Sequence, residues 1–242
     1  MPRSDKPATF VLVHGSWHGG WCWRRVADRL TARGHKVYTP TLSGLAERSH
    51  ANNPRIDLST HVDDVAGLLK WEALEDVVLV GHSYAGMVIS GVAEKAAPGA
   101  IGSIVFLDAF LPEDRKCLFD YVTGGEGGPG AAMAAEGKAT GFVSPIPAAV
   151  FNVNEADRDW VDSQCTPQSY RCFLQRLRLT GARERIPKKA FILATEYMGL
   201  RDASFVDKVK ADPTWRYYEV ACGHDVMLDE PDRLTEILEE VA

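Results

Sequence analysis

Short runs of consecutive apolar, β-branched residues alternate along this chain with longer stretches in which apolar residues recur every three or four positions. Thr9-Phe10-Val11-Leu12-Val13 and Val77-Val78-Leu79-Val80 show no polar alternation, the pattern of strands covered on both faces. Between them, Val26, Ala27 and Leu30 fall on one face of a helix expected over Trp23 to Arg33 and stopped at Gly34, and Lys36 to Thr39 suits a second strand. A helix starting near Ser59, with Val62, Val65 and Leu69 on one face, leads into the Val77 strand. Ala85 to Ala96 reads as a helix closed by Pro98, and Ile104 to Leu107 as the next strand, ending at Asp108. Strand, helix, strand in repetition predicts an α/β fold with a parallel sheet flanked by helices.

From about Phe110 to Pro187 the alternation breaks off: Gly124 to Gly130 is glycine-rich, Pro145 and Pro147 interrupt, and aromatics become frequent. This stretch is expected to be a helical cap, 110–187, inserted within one domain spanning 1–242. Ala190 to Ala194 then resumes as a strand, followed by a helix over Ala203 to Ala211 and a last strand over Trp215 to Val220. A terminal helix opens at Pro231 and carries Leu234, Ile237, Leu238 and Val241 on one face. Hydrophobic residues at 45% of 242 give a sizeable core and exclude a disordered chain. A net charge of −6, with no long basic run, argues against nucleic acid or an anionic membrane as partner. No apolar run reaches the roughly 20 residues that span a bilayer, and the first residues lack the apolar stretch of a signal peptide, so a cytoplasmic protein is expected. The odd count of five cysteines without CxxC spacing suits reduced thiols, with neither a structural metal nor a cofactor.

The sharpest chemical signal is Val80-Gly81-His82-Ser83-Tyr84-Ala85-Gly86, a serine between small residues where a buried strand turns into a helix. That arrangement raises a hydroxyl on a tight turn and aims helix N-terminal amides at developing negative charge. The alternative is a serine that only caps a helix. A serine needs a base. Only one histidine follows it, His224 in Cys222-Gly223-His224-Asp225, just beyond the last expected strand. His82 is expected to point away from the site. The acid that orients the base is Asp108, which ends an apolar strand where an unpartnered carboxylate would be costly; Glu196 and Asp202 are the other candidates. Backbone N–H groups of Ser16 and Tyr84 are expected to form the oxyanion hole, with Gly15 and Trp17 near the substrate, while Trp21 and Trp23 are assigned to packing.

Over nearly its full length the chain resembles the α/β-hydrolase superfamily, and within it the plant methylesterase and hydroxynitrile lyase family with its bacterial relatives. The resemblance is carried by Val11-Leu12-Val13-His14-Gly15-Ser16-Trp17-His18-Gly19-Gly20-Trp21, Gly81-His82-Ser83, Leu107-Asp108-Ala109-Phe110-Leu111-Pro112 and Gly223-His224-Asp225. It implies Ser83 as nucleophile, His224 as base, an eight-stranded, mostly parallel core, an apolar pocket under the cap, and a homodimer. Lyases of this type carry a threonine at the position of Gly15 and a lysine directly after the base, where this chain has Asp225, which disfavours cyanohydrin cleavage. The usual family acid lies two or three residues beyond Thr195, where Tyr197 and Met198 stand, and that departure strengthens Asp108.

These residues together predict a serine esterase acting on a small carboxylic or carbamic ester, or a lactone. Phe119, Tyr121, Phe142, Phe151, Trp160, Tyr170 and Phe173 suit an aromatic or apolar substrate, although packing of the cap accounts for them equally well. The rival readings are a lyase or cofactor-independent oxygenase on the same scaffold, and a ligand-binding receptor. A halide-releasing enzyme needs an aspartate at position 83 and is excluded.

Overall fold

The computed structural model describes residues 7–122, 128–197 and 204–242. Six parallel strands form the main sheet: β1 (Thr9–Val13), β2 (Lys36–Tyr38), β3 (Val77–His82), β4 (Ile101–Leu107), then, after a short antiparallel pair β5 (Phe142–Val143) and β6 (Gln168–Ser169), β7 (Lys188–Ala194) and β8 (Trp215–Val220). Their order across the sheet is β2-β1-β3-β4-β7-β8. Against the eight core strands implied by resemblance, the described residues supply these six to the main sheet, and the β5–β6 pair, which the apolar pattern did not reveal, stands apart from it. Phe142-Val143 and Gln168-Ser169 are too short to show a period of two.

The helices are α1 (Arg24–Ala32), α2 (Leu58–Trp71), α3 (Ala85–Lys95), α4 (Pro129–Thr140), α5 (Arg158–Gln164), α6 (Arg171–Leu174), α7 (Ser204–Ala211), α8 (Val226–Asp229) and α9 (Pro231–Val241). A 3₁₀ turn over Gly20–Trp23 precedes α1. Asp57 caps α2 reciprocally with Thr60, accepting the Thr60 N–H at 3.0 Å. From β1 the chain crosses through α1 to β2 in one direction and through α2 to β3 in the other. Right-handed crossovers of opposite direction put α1 and α2 on opposite faces. α3 packs with α2, and α9 packs with α1, so both faces of the sheet are covered. That covering explains why Val77, Val78, Leu79 and Val80 are all buried in β3.

The reversal of direction falls between β1 and β3, where Val13 pairs with Gly81. Parallel strands that diverge at their carboxyl ends leave a crevice at such a switch point. The loop after β1 and the turn after β3 therefore open side by side. The 108–187 stretch between β4 and β7, with α4, α5, α6 and the β5–β6 pair, contributes to the roof.

Gly86 lies in the first turn of α3 against the loop after β4, and a Cβ there would meet the Phe110 carbonyl oxygen at 1.9 Å. Backbone has nowhere to yield at this contact. Gly86→Ala is expected to destabilise the fold by about 2 kcal/mol or more, lowering the thermal midpoint by roughly 4–8 °C in calorimetry; an unchanged midpoint would contradict the tight junction.

Candidate active site

Ser83 occupies the turn from β3 into α3 with φ of +54°, a conformation that costs a non-glycine residue energy and persists only where its surroundings enforce it. Two hydrogen bonds do so. The Ser83 N–H donates to the Leu107 carbonyl at 3.2 Å, and the Ser83 carbonyl accepts from the Phe110 N–H at 3.1 Å. Gly81 is required because a Cβ would come within 2.8 Å of the Ala85 carbonyl oxygen. Ala85, in place of the glycine more common in this turn, is completely buried in α3 without obstructing it. The Tyr84 side chain is buried beneath the turn, its hydroxyl donating to His61 Nδ1 at 3.0 Å while His61 Nε2 donates to the Ser43 carbonyl.

Asp108, also at positive φ, follows β4 and is 1% exposed. Its N–H donates to the Ile192 carbonyl at 2.7 Å, and its Oδ1 accepts the Ala194 N–H at 3.0 Å, so the end of β7 holds it from both sides. Its Oδ2 lies 2.6 Å from His224 Nδ1. With Nδ1 donating to the carboxylate, Nε2 of a neutral His224 is left as an acceptor, the state a general base needs. Ser83, Asp108 and His224 all border one cavity. Glu196 is exposed in the loop after β7, and among the described residues it is engaged through its backbone, with Cys222 and Asn152. Asp202, the third acid candidate, lies outside the described residues.

The His224 ring packs between Phe151, at 5.3 Å and 27° between planes, and Tyr197, at 4.6 Å. The His224 N–H donates to the Phe151 carbonyl at 2.9 Å. Gly223 allows the approach, since a Cβ there would meet the Asn152 carbonyl at 2.0 Å. His82, expected to point away, does leave the cavity, but it packs against His224: its Nε2 donates to the His224 carbonyl at 3.0 Å, and burial pushes its pKa down to about 3. No local pattern in the chain signals this second contact, because it depends on how two loops from distant strands pack.

His14 Nδ1 donates to the Gly15 carbonyl at 2.8 Å and His14 Nε2 accepts the Leu42 N–H at 3.0 Å, which makes this ring neutral; burial takes its pKa down to about 3. Among the described residues the Ser16 and Tyr84 N–H groups donate to no protein acceptor. Gly15 itself is not on the cavity wall. It is packed against His82 and Ser83, where a Cβ would come within 2.9 Å of His82 Nδ1. Trp17 does border the cavity, at φ of +63°, with its backbone N–H on Gln168 Oε1 and its indole N–H on the Val143 carbonyl. Trp23 is fully buried, and Trp21 packs on His18.

The cavity encloses about 440 Å³ of space, part of it open to solvent. Beyond the polar cluster its wall is apolar: Phe110, Leu118, Val122, Met133, Phe151 and Phe173 come from the 108–187 stretch. Of the aromatics expected to face a substrate, Phe151 and Phe173 border the cavity, whereas Phe119 and Tyr170 pack on each other, Tyr121 on Phe110 and Trp160 on Trp21. Among the described residues no group of three or more His, Cys, Asp or Glu is arranged to hold a metal ion. No helix among them is long and apolar enough to cross a membrane.

Residues 10–237 match the model of the alpha/beta hydrolase family. The chain belongs to this family. It is 42% identical over 238 residues, 96% of this chain and 98% of the relative, to a carbendazim hydrolyzing esterase of Nocardioides sp. (strain SG-4G). It is 39% identical to methyl jasmonate esterase 1 of Vitis vinifera over 108 residues, 43% of this chain and 40% of that one. The resemblance to methylesterases thus holds, although the plant enzymes match less than half of the hydrolase. Among solved structures, an extracellular alpha/beta-hydrolase from a Paenibacillus species, which shares structural and functional homology with tobacco salicylic acid binding protein 2, superposes with a TM-score of 0.83 at 25% identity, covering 98% of this chain and 99% of that one. A pyrethroid hydrolase from Sphingobium faniae JZ-2 shares the fold, with a TM-score of 0.72 at 21% identity over 97% of both chains.

If Asp108 orients the base, Asp108→Asn is expected to lower kcat for an ester by about 10³- to 10⁴-fold, while Glu196→Gln stays within about threefold of the parent. Steady-state kinetics of the two variants check this, and the reverse order would move the acid to the loop after β7.

Proposed function

We propose that this hydrolase is a serine carboxylic-ester hydrolase that cleaves a small ester or carbamate with an aromatic or otherwise apolar body. The observation that carries the reading is the Asp108–His224 hydrogen bond, set at a cavity that also holds Ser83 on its strained turn. In this mechanism Ser83 gives its proton to His224 Nε2 as Oγ bonds to the substrate carbonyl carbon. The carbonyl π pair moves to oxygen, and the resulting oxyanion accepts from the Ser16 and Tyr84 N–H groups. Collapse expels the alcohol oxygen, which takes the proton from His224. Water then repeats the sequence on the acyl-enzyme and returns Ser83.

The apolar wall supports a neutral, hydrophobic acyl or carbamoyl portion, because burying a charge among Phe110, Leu118, Met133 and Phe173 would be costly. The carbendazim-hydrolyzing relative supports a carbamic ester as one such substrate. Asp225 after the base carries the opposite charge to the lysine of the lyases, which weighs against the lyase reading. A substrate pocket lined by the 110–187 cap within a single 1–242 domain belongs to the same proposal. So does a cytoplasmic setting, supported by five free thiols.

Intact mass after treatment with a serine-directed phosphonate, together with turnover of a short aryl ester and of carbendazim, tests the proposal. One adduct at Ser83 and ester turnover are expected, and Ser83→Ala is expected to lose both with an unchanged melting curve. A folded parent protein that takes no adduct and turns over no ester would favour the lyase, oxygenase or receptor reading instead.

A further inference from the structure

Asp225 directly follows the base, is completely buried, and has no part in the chemistry derived above. Its Oδ2 lies 3.1 Å from Nε2 of His18, and Nδ1 of the same ring lies 2.7 Å from the Ser16 carbonyl oxygen. A carbonyl oxygen only accepts, so His18 Nδ1 carries a proton. The Nε2 contact to a carboxyl group then requires one more proton between the two residues. A free imidazole outcompetes a free carboxylate for that proton by about 2.5 pKa units. The His18 ring also stacks on Trp21, centroids 5.1 Å apart and 19° between planes, a face that favours a cation.

The other titratable groups around the pair do not take over its charge. His82 Nε2 is 3.6 Å from Asp225 Oδ1, but it donates to the His224 carbonyl, and burial keeps that ring neutral. His14 is neutral, as its Leu42 contact requires. Cys165 Sγ approaches His18 Nδ1 at 3.9 Å, and burial keeps the nearby Cys22 thiol protonated. His224 is held by Asp108. Burial alone would push the His18 pKa down, yet the Asp225 carboxylate outweighs it and holds the ring well above an ordinary imidazole. Burial would likewise raise Asp225, and His18 keeps it well below the usual carboxylate range.

A trans peptide points its N–H and C=O in opposite directions, so tying one fixes the other. The loop after β1 has two successive carbonyls tied by imidazoles: Gly15 to His14, which aims the Ser16 N–H, and Ser16 to His18, which aims the Trp17 N–H at Gln168. Asp225 joins this loop to the loop that carries the base. We infer that His18 is a positioning residue, kept as a buried imidazolium by Asp225, which locks the oxyanion loop in register with His224. The inference rests on the reading of Ser16 as an oxyanion donor. Breaking one partner of such a buried pair leaves an uncompensated charge, and the loss falls on the transition state, where the oxyanion exists, more than on substrate binding.

Ring ¹⁵N NMR of the labelled protein at pH 8, with His18 assigned by its disappearance in His18→Gln, reads the pair directly. Both His18 nitrogens are expected to be protonated. A neutral His18 ring would overturn the inference. In kinetics Asp225→Ala is expected to lower kcat about 10- to 100-fold with KM within about threefold. Asp225→Asn is expected to recover most of kcat, because its amide N–H can donate to Nε2 of a neutral His18 whose Nδ1 keeps the Ser16 bond; its ring spectrum should then be that of neutral imidazole. An Asp225→Asn enzyme no better than Asp225→Ala, or a loss confined to KM, would refute the positioning role. If Asp225→Ala does not fold, the parent ring spectrum and Asp225→Asn decide. Absence of ester turnover in the parent protein would fault the esterase reading, and the ring spectrum would still decide the ion pair.

Discussion

The hydrogen bond from the Phe110 N–H to the Ser83 carbonyl joins the two turns on which the site is built. On one side it braces the strained residue between β3 and α3, and on the other it fixes the loop that begins with Asp108. The pairing of His82 with Leu107 at the ends of β3 and β4 brings those turns together, and the reach of Ala194 N–H to Asp108 adds the end of β7. Three adjacent parallel strands thus deliver Ser83, Asp108 and the support for Asp108, the places that the proposed mechanism gives to nucleophile and acid. Glycine at position 86 is the geometric condition for this closeness, since any side chain there would enter the Phe110 carbonyl.

Electrostatics divides the buried histidines by the partners each ring meets. His14 pairs one nitrogen that must donate with one that must accept, and burial lowers the pKa of His61, whose Nε2 donates to the Ser43 carbonyl, so both are neutral struts. His18 faces two acceptors, and His224 faces one and borders the cavity. The pattern of neighbouring donors and acceptors thus lets the same side chain stand as a neutral strut in two places and suits it, in the proposals above, to be a cation at His18 and a base at His224. Burial strengthens each of these distinctions, since the wrong protonation state would leave an unsatisfied group in a low dielectric.

The α/β architecture was legible from the chain because the central strands are covered on both faces and show as unbroken apolar runs, as in Val77 to Val80. Ser83 and His224 were legible because strand ends followed by glycine or small residues are where side chains can be presented. Asp108 stood out as a carboxylate ending an apolar strand, and the structure gives it the partner that its burial requires. What escaped sequence reading depends on tertiary approach. The β5–β6 pair is two residues per strand. His82 against His224 and His18 on Asp225 join segments more than 140 and 200 positions apart, and no local pattern signals either. The cap aromatics look alike along the chain, and only the packed chain separates Phe151 and Phe173, on the cavity, from Phe119 and Tyr170, on each other.

The bond from the His224 N–H to the Phe151 carbonyl ties His224 to the segment that walls the cavity, and the Phe151 ring lies against the imidazole as well. Wall and support are therefore one piece of structure here: the residue that lines the cavity with its ring also holds the imidazole through its carbonyl. A substitution that reshapes the chamber at Phe151 cannot leave the seat of His224 untouched, so the size of the chamber and the placing of the histidine are not independently adjustable.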